Sequence, residues 1–297
     1  MQTVLSALLS VCIVCACAVA ASADDGRRSV VYQGTEVSYL DLGNPTGLPL
    51  VFIHGLSCNT TVWNAQIPAF DQEYRLILID LPGFGQSGKP QNIDYTMSYF
   101  AGAVKAVLDD ARAEQPVLVG HSMGYSIVRQ FLLEYPRKVR AVINVDGAYF
   151  RIPPFVTMQE SFKKETQNMI ADMTGPQKDR KWREFVESTF YGKTPQSVQK
   201  EVFAIMLSAD PYASLSSFTE MVRLEQWEEH SFDEPALVMY ATSPYLFPGH
   251  EAYMRTVFPH QIYEEWDDAG HFLMMEQPER FNASVKNFLQ TVESLPQ

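Results

Sequence analysis

Residues 116–124 read PVLVGHSMG, a short apolar run followed by a serine between two glycines. The run predicts a buried strand over residues 116–119, and the residues from Met123 predict a helix that ends before Pro136. The turn between them is so tight that a side chain in place of either glycine would collide with neighbouring backbone. It holds the hydroxyl of Ser122 above the end of the strand, with the N-terminus of the helix directed at it. This arrangement predicts a nucleophilic serine.

Apolar runs and helical stretches alternate on both sides of this turn. A hairpin is predicted first, with strands over residues 29–32 and 36–41. Short apolar runs bounded by turn residues then predict strands buried on both faces of a parallel sheet, at residues 48–53, 75–79, 116–119 and 139–145. The stretches between them predict helices over residues 61–70, 97–111 and 123–135. The sequence therefore predicts an α/β fold with a mostly parallel sheet flanked by helices.

The alternation is interrupted between residues 147 and 234, where helical stretches occur without a convincing strand. It resumes with two predicted strands and a final helix, at residues 236–241, 261–266 and 278–292. We expect one core made of residues 24–146 and 235–297, with residues 147–234 inserted as a helical lid. A helical domain without a link to the functional site is the alternative. The apolar side chains of the insertion could line a pocket or only seat its helices on the core: Phe150, Phe155, Met158, Phe162, Met169 and Met173.

The N-terminal segment differs in composition from the rest of the chain. Residues 4–23 contain no charged side chain and end in the small residues ASA, which predicts a secretory signal peptide over residues 1–23, cleaved after Ala23. The expected location is secreted or periplasmic. An uncleaved membrane anchor and lipidation at Cys17 are open alternatives, so membrane association is expected only if the leader is retained or lipidated.

Composition and charge exclude several classes of function. The 297-residue chain is 46% hydrophobic, which excludes general disorder, and its formal net charge of -12 makes nucleic acid an unfavourable partner. No metal is indicated, because H-E-x-x-H and Cys/His clusters are absent from the sequence. Residues 83–88 match G-x-G-x-x-G, but Lys89-Pro90 follows where a dinucleotide fold has a helix, so no cofactor is expected.

From about residue 30 to the C-terminus the chain resembles the α/β-hydrolase family. The resemblance rests on four segments: the G-x-S-x-G turn, the HGL segment at residues 54–56, the DLPGFGQS loop at residues 80–87, and the AGHF segment at residues 269–272, which is followed by EQP at residues 276–278. The resemblance implies a serine hydrolase in which Ser122 is the nucleophile and His271 the catalytic base. It also implies an oxyanion hole made by the backbone N–H groups of Leu56 and Met123.

The third member of the implied catalytic triad departs from the common family pattern. In much of the family the acid follows the strand after the lid, where this chain has Pro244. Asp146 follows Ser122 by one helix plus one strand, which places it at the tip of the neighbouring strand on the same sheet edge. Some dehalogenases and lactone hydrolases of the family draw their acid from that strand end. Asp146 could instead only cap a turn with Gly147, and Asp268 and Glu251 are weaker candidates for the acid.

A serine with a histidine base and two N–H donors suits acyl transfer through an acyl-enzyme. We therefore expect an exported serine hydrolase acting on a small-molecule carboxylic ester or lactone, with an apolar substrate. Dehalogenase and epoxide hydrolase chemistry is excluded, because it needs a carboxylate at the position of Ser122. Thioesterase or cofactor-free perhydrolase activity is open on the same residues, and the proline at residue 244 leaves a non-catalytic small-ligand binder as the competing class. Cys58 is expected to border the pocket or the core.

Overall fold

The computed structural model describes residues 25–148, 155–191, 194–243 and 246–294. The predicted leader over residues 1–23, together with Phe150 and Pro244, lies outside these ranges. Within them, none of the helices combines the length and the apolar character that crossing a bilayer requires.

The described residues contain eight strands, which form one sheet in the order β1-β2-β4-β3-β5-β6-β7-β8. The strands are β1 (Arg27–Tyr32), β2 (Thr35–Gly43), β3 (Pro49–Ile53), β4 (Arg75–Ile79), β5 (Val117–His121), β6 (Ala141–Val145), β7 (Ala236–Ala241) and β8 (Gln261–Trp266). The first two form the predicted hairpin, and β2 also runs antiparallel to β4. All other neighbours in the sheet are parallel, which confirms the predicted fold class.

The central strands are apolar on both faces because helices cover both sides of the sheet. Along β3, Leu50 and Phe52 point into one hydrophobic cluster, whereas Val51 and Ile53 point into the other. One cluster is completed by helices that precede and follow β5, and the other by the C-terminal helix. This double burial is the reason that these strands appear in the sequence as continuous apolar runs instead of alternating ones.

Ten α-helices lie within the described ranges. They are α1 (Ile67–Phe70), α2 (Met97–Asp110), α3 (Met123–Glu134), α4 (Val156–Thr174), α5 (Lys178–Glu187), α6 (Gln196–Leu207), α7 (Pro211–Met221), α8 (His250–Val257), α9 (Leu273–Glu276) and α10 (Pro278–Glu293). Helices α4 to α7 lie within the insertion, for which the role of a lid stays a prediction. Of its apolar side chains, Met173 is buried, whereas Phe155, Met158 and Met169 are exposed. The apolar side chains of α4 and of Phe155 just before it therefore do not all pack against the core.

The prediction of one helix over residues 61–70 is wrong. A 3-10 turn over Thr60–Trp63 is capped by the side chain of Asn59, and a separate short helix, α1, follows. Pro68 explains the break, since its ring nitrogen cannot donate the hydrogen bond that a continuous helix would need at that position.

The strand order places a crevice at the carboxyl ends of β3 and β5. The chain passes from β3 to β4 on one side and then returns to place β5 on the other side of β3, and loops diverge at such a reversal. The HGL segment follows β3, Ser122 follows β5 and Asp146 follows β6. His271 lies in the loop after β8, so the residues singled out in the sequence all lie at one edge of the sheet.

Candidate active site

Ser122 occupies a strained turn between β5 and α3. Its φ of 53° lies in the left-handed region that residues with a Cβ rarely adopt. Its N–H donates to the carbonyl of Val145 (3.1 Å), and its own carbonyl accepts from Tyr125 and Ala148 (3.0 Å each). Such a backbone costs about 1–3 kcal/mol and persists only where the surroundings fix it. These three hydrogen bonds fix the turn.

The glycines on either side of the serine are required by close backbone approach. A Cβ on Gly120 would lie 2.7 Å from the backbone nitrogen of Tyr125. A Cβ on Gly124 would lie 2.3 Å from the carbonyl oxygen of Ile53, because α3 packs directly against the end of β3. Neither position has room for a side chain, as the sequence pattern predicts.

The structure brings Asp146 and His271 into direct contact. The ring Nδ1–H of His271 donates to Oδ2 of Asp146 at 2.5 Å, and both side chains are largely buried. The other carboxylate oxygen accepts the N–H of Ala241 (2.9 Å), and the N–H of Asp146 donates to the carbonyl of Met239 (2.7 Å). The carboxylate is thus held between the ends of β6 and β7 and presents one oxygen to the imidazole.

The alternative role of Asp146 as a turn cap does not match the hydrogen bonds. The N–H of Gly147 donates to the side-chain oxygen of Asn144 (2.8 Å), so a different residue closes that turn. The other candidate acids lie in surface ion pairs. Asp268 pairs with Arg280 (2.9 Å), and Glu251 pairs with an arginine on its own helix.

The loop that carries His271 is held by two further contacts of that residue. Its backbone N–H donates to the carbonyl of Thr189, which follows α5 in the insertion (3.2 Å). Its carbonyl accepts a hydrogen bond from the Nε2–H of His121 (3.0 Å). The first contact joins the histidine loop to the insertion, and the second joins it to the serine turn.

Glu276 has a positioning role that the sequence motif did not specify. Its carboxylate accepts the N–H of Gly270 (2.8 Å) and the N–H of Phe272 (3.2 Å), the two residues that flank His271. Burial raises the pKa of this carboxyl above its ordinary value, while the two N–H groups oppose that shift. A carboxylate five residues after the histidine is the sequence signal for this role.

His121 is a neutral, buried imidazole beside the histidine loop. Burial lowers its pKa well below the usual range, and the nearby ring of His271 lowers it further. The two ring centroids are 4.7 Å apart. Its Nδ1 has no hydrogen-bond partner within the described part of the chain, and a Cβ on Gly55 would approach that atom to 3.0 Å.

Two backbone N–H groups lie free at the candidate oxyanion hole. Neither Leu56 nor Met123 donates its N–H in any hydrogen bond among the described residues. The HGL segment lies against the serine: a Cβ placed on Gly55 would be only 3.0 Å from Cβ of Ser122. His54 stiffens the segment, since its Nδ1–H donates to the carbonyl of Gly55 (2.8 Å) and its Nε2 accepts an N–H from the loop after β4 (3.1 Å).

Ser122 and His271 border one small cavity of about 20 Å³. The described structure has no hydrogen bond between the serine hydroxyl and the imidazole, and the cavity has room for about one water molecule. Catalytic hydrogen bonds are often long in a free enzyme and tighten when substrate binds. Cys58 also borders this cavity, but burial raises the pKa of its thiol to about 12, so it is no rival nucleophile.

A second layer of buried polar side chains lies behind the carboxylate of Asp146. The hydroxyl of Tyr240 accepts from the amide of Asn144 and donates to the carbonyl of Gly147, both at 3.1 Å. The ring of His250 stacks edge-on against Tyr240 at 4.4 Å. Burial lowers the pKa of His250 to about 4, so the imidazole is neutral near pH 7.

Comparison with known proteins places this geometry in a family. Residues 49–278 match the family model described as the alpha/beta hydrolase fold. A solved structure of a thermophilic esterase from Thermogutta terrifontis superposes with a TM-score of 0.76 at 23% identity, covering 90% of this chain and 98% of that one. That likeness concerns the fold.

Two curated relatives are similar in sequence. A carboxylesterase, YbfK from Bacillus subtilis, is 26% identical over 245 residues, which cover 81% of this chain and 79% of that protein. A pimeloyl-[acyl-carrier protein] methyl ester esterase from Aeromonas hydrophila is 36% identical over 99 residues. The second match spans 33% of this chain and 37% of that enzyme.

The neutral state of His250 predicts a loss of stability in acid. An unfolded histidine binds a proton near pH 6.5, whereas the folded one binds it near pH 4, so unfolding takes up a proton between these values. The free energy of unfolding should fall as the pH drops from 6.5 to 4, by up to roughly 3 kcal/mol from this residue. Urea unfolding at pH 7.5, 5.5 and 4.5 measures the slope. His250→Gln should flatten it and His230→Gln, an exposed control, should not; equal slopes in all three proteins would contradict the prediction.

Proposed function

The chain belongs to the α/β-hydrolase family, and on that premise we propose that it is an exported serine hydrolase that cleaves a carboxylic ester or lactone through an acyl-enzyme on Ser122. The observation that carries the proposal is the 2.5 Å hydrogen bond from His271 to Asp146, made by a histidine that shares a cavity with the serine. An imidazole held by a carboxylate beside a strained serine is the arrangement that nucleophilic acyl transfer uses.

In the acylation step the hydroxyl oxygen of Ser122 attacks the ester carbonyl carbon, and its proton passes to Nε2 of His271. The carboxylate of Asp146 holds the proton on Nδ1, so that Nε2 presents its lone pair, and it stabilises the imidazolium that forms. The negative charge on the carbonyl oxygen is stabilised by the N–H groups of Leu56 and Met123, aided by the N-terminus of α3. The tetrahedral intermediate collapses, and the imidazolium gives its proton to the departing alcohol.

Deacylation repeats the same steps with water. Nε2 of His271 takes a proton from a water molecule, whose oxygen attacks the acyl carbon bound to Ser122. The second tetrahedral intermediate expels the serine oxygen, which recovers its proton from the imidazolium, and the acid is released. With a lactone the alcohol and the acid are parts of one molecule, so a hydroxy acid is the product.

An ester substrate is favoured by the relatives as well as by the chemistry. The Bacillus subtilis relative is a carboxylesterase and the Aeromonas hydrophila relative is a methyl ester esterase. Oxygen esters need only a nucleophile, a base and an oxyanion hole, with no metal or cofactor. A non-catalytic binder would have no need of a strained serine or of a carboxylate held on the histidine.

Export is proposed from the uncharged leader over residues 4–23. Expression of the full chain in a host with a secretory pathway, followed by N-terminal sequencing of the protein found outside the cytoplasm, tests it. A mature chain that begins at Asp24 is the expected result. Retention of the intact leader on a protein confined to the cytoplasm would contradict export.

The serine is tested by active-site labelling. A fluorophosphonate probe at pH 8 should label the folded protein, and Ser122→Ala should abolish both the labelling and the hydrolysis of a panel of esters and lactones. Ser126→Ala changes a buried serine one turn along the same helix and should keep both. Absence of labelling in the folded wild-type protein would favour the non-catalytic binder.

The acid is tested by a matched pair of carboxylate-to-amide changes. Asp146→Asn should lower kcat by roughly 10³–10⁴-fold, because an amide no longer stabilises the imidazolium or selects its tautomer. Asp268→Asn alters an exposed carboxylate three positions before the histidine and should leave kcat within about twofold. Circular dichroism checks that both variants fold. Near wild-type kcat in Asp146→Asn would assign the acid to another residue.

A further inference from the structure

Two cavities lie on either side of one methionine. The first is the 20 Å³ space that Ser122 and His271 border, which is too small for any ester. The second, here called the lid cavity, has a volume of about 690 Å³ and lies among α4, α5, α6 and α7. Volumes of 300–1,000 Å³ are typical of small-molecule sites. Met206, on the last turn of α6, borders both spaces.

Other contacts confirm that the two spaces are neighbours. Phe185 borders the serine cavity, and its ring packs edge-on against Trp182, which borders the lid cavity, at 5.8 Å. Ser57 follows the HGL segment directly, and its hydroxyl donates to the hydroxyl of Ser214 on α7 (2.7 Å), another residue of the lid-cavity wall. The partition between the spaces is thus one layer of side chains thick.

The lining of the lid cavity includes an apolar set of side chains and a solvent-exposed charged set. The apolar set includes Met173, Trp182, Ala209, Tyr212 and Leu215, together with Met206. The charged residues that border it all lie on α5 and are exposed to solvent: Lys178, Asp179, Arg180 and Arg183. An apolar group would gain free energy by entering this space, roughly in proportion to the apolar area that it buries.

We propose that the lid cavity receives the apolar acyl chain of the substrate and that Met206 is the gate between this chain and the serine. The inference rests on the proposed function and adds a substrate class to it, namely esters with a long apolar acyl group. The acyl chain stays attached to Ser122 through both chemical steps, whereas the alcohol must leave after the first. A cavity that lies beside the serine and can hold a chain through both steps therefore suits the acyl side of the ester.

A methionine is suited to such a gate. Its unbranched side chain has three rotatable bonds and fills irregular gaps without a fixed shape, so it can move aside at low cost. In the described conformation Met206 is 7% exposed and closes the partition. When its side chain rotates, the serine cavity and the lid cavity become one continuous site that holds both the reacting carbonyl and the chain.

The kinetic test uses one variant that opens the partition and one that fills the cavity. The readout is the ratio of kcat/KM for p-nitrophenyl decanoate to that for p-nitrophenyl acetate. Met206→Ala should raise the ratio about threefold or more, and Ala209→Phe should lower it at least about tenfold with acetate hydrolysis kept. Met169→Ala is the matched control and should keep the ratio, since this exposed methionine of α4 borders neither cavity. A ratio within twofold of wild type in both folded variants would overturn the proposal.

The choice of the acyl side is tested with acetate esters of short and long alcohols. Their relative kcat/KM values should be the same in wild type, Met206→Ala and Ala209→Phe. Changes confined to this alcohol series would overturn the assignment of the cavity to the acyl chain.

Occupancy of the cavity is tested separately from catalysis. In Ser122→Ala, 12-bromododecanoate should quench tryptophan fluorescence through contact with Trp182, and the added change Trp182→Phe or Ala209→Phe should remove most of the quenching. Absence of quenching in Ser122→Ala would overturn the proposal. A wild-type protein that hydrolyses neither acetate nor decanoate, yet shows the quenching, would instead contradict the proposed function and leave the cavity as an apolar ligand site.

Discussion

The hydrogen bond between Asp146 and His271 joins residues that are 125 positions apart in the sequence, so it forms only because the sheet brings them together. Each residue follows a different strand, and only the parallel arrangement of β6, β7 and β8 places their loops at the same edge. The carboxylate is oriented by the N–H of Ala241 and the imidazole by contacts to both sides of its loop. A shift of one residue in the register of β7 would remove the N–H that holds the carboxylate.

The serine turn stores strain, and neighbouring elements maintain it. Ser122 and Asp146 both have positive φ, and they directly follow adjacent strands, β5 and β6, whose ends are joined by the hydrogen bond from Ser122 to Val145. The glycines that flank the serine allow α3 to approach β3 to the limit of backbone contact. Rigid packing of this kind lets a site keep backbone conformations that would relax in a flexible loop.

Three histidines at this edge of the sheet are buried with lowered pKa values, and each is used as a neutral hydrogen-bonding group. His54 stiffens the HGL segment, His121 holds the carbonyl of His271, and the ring of His250, behind Asp146, is hydrogen-bonded to the hydroxyl of Tyr263. A neutral imidazole at these positions adds no positive charge beside His271, which accepts a proton in the proposed mechanism. The site thus keeps its hydrogen-bond geometry without opposing the imidazolium that the proposed mechanism forms on His271.

The sequence by itself determined the succession of strands and helices along the chain and the serine turn. These depend on local patterns, namely apolar runs, paired glycines and short motifs, which have the same meaning wherever the chain is placed. Only the tertiary structure showed that Asp146 contacts His271, that Glu276 accepts N–H groups of the histidine loop, and that residues 61–70 do not form one helix. It also placed Met206 between two cavities. Contacts between residues far apart depend on strand order, register and loop packing, and no short stretch of sequence contains that information.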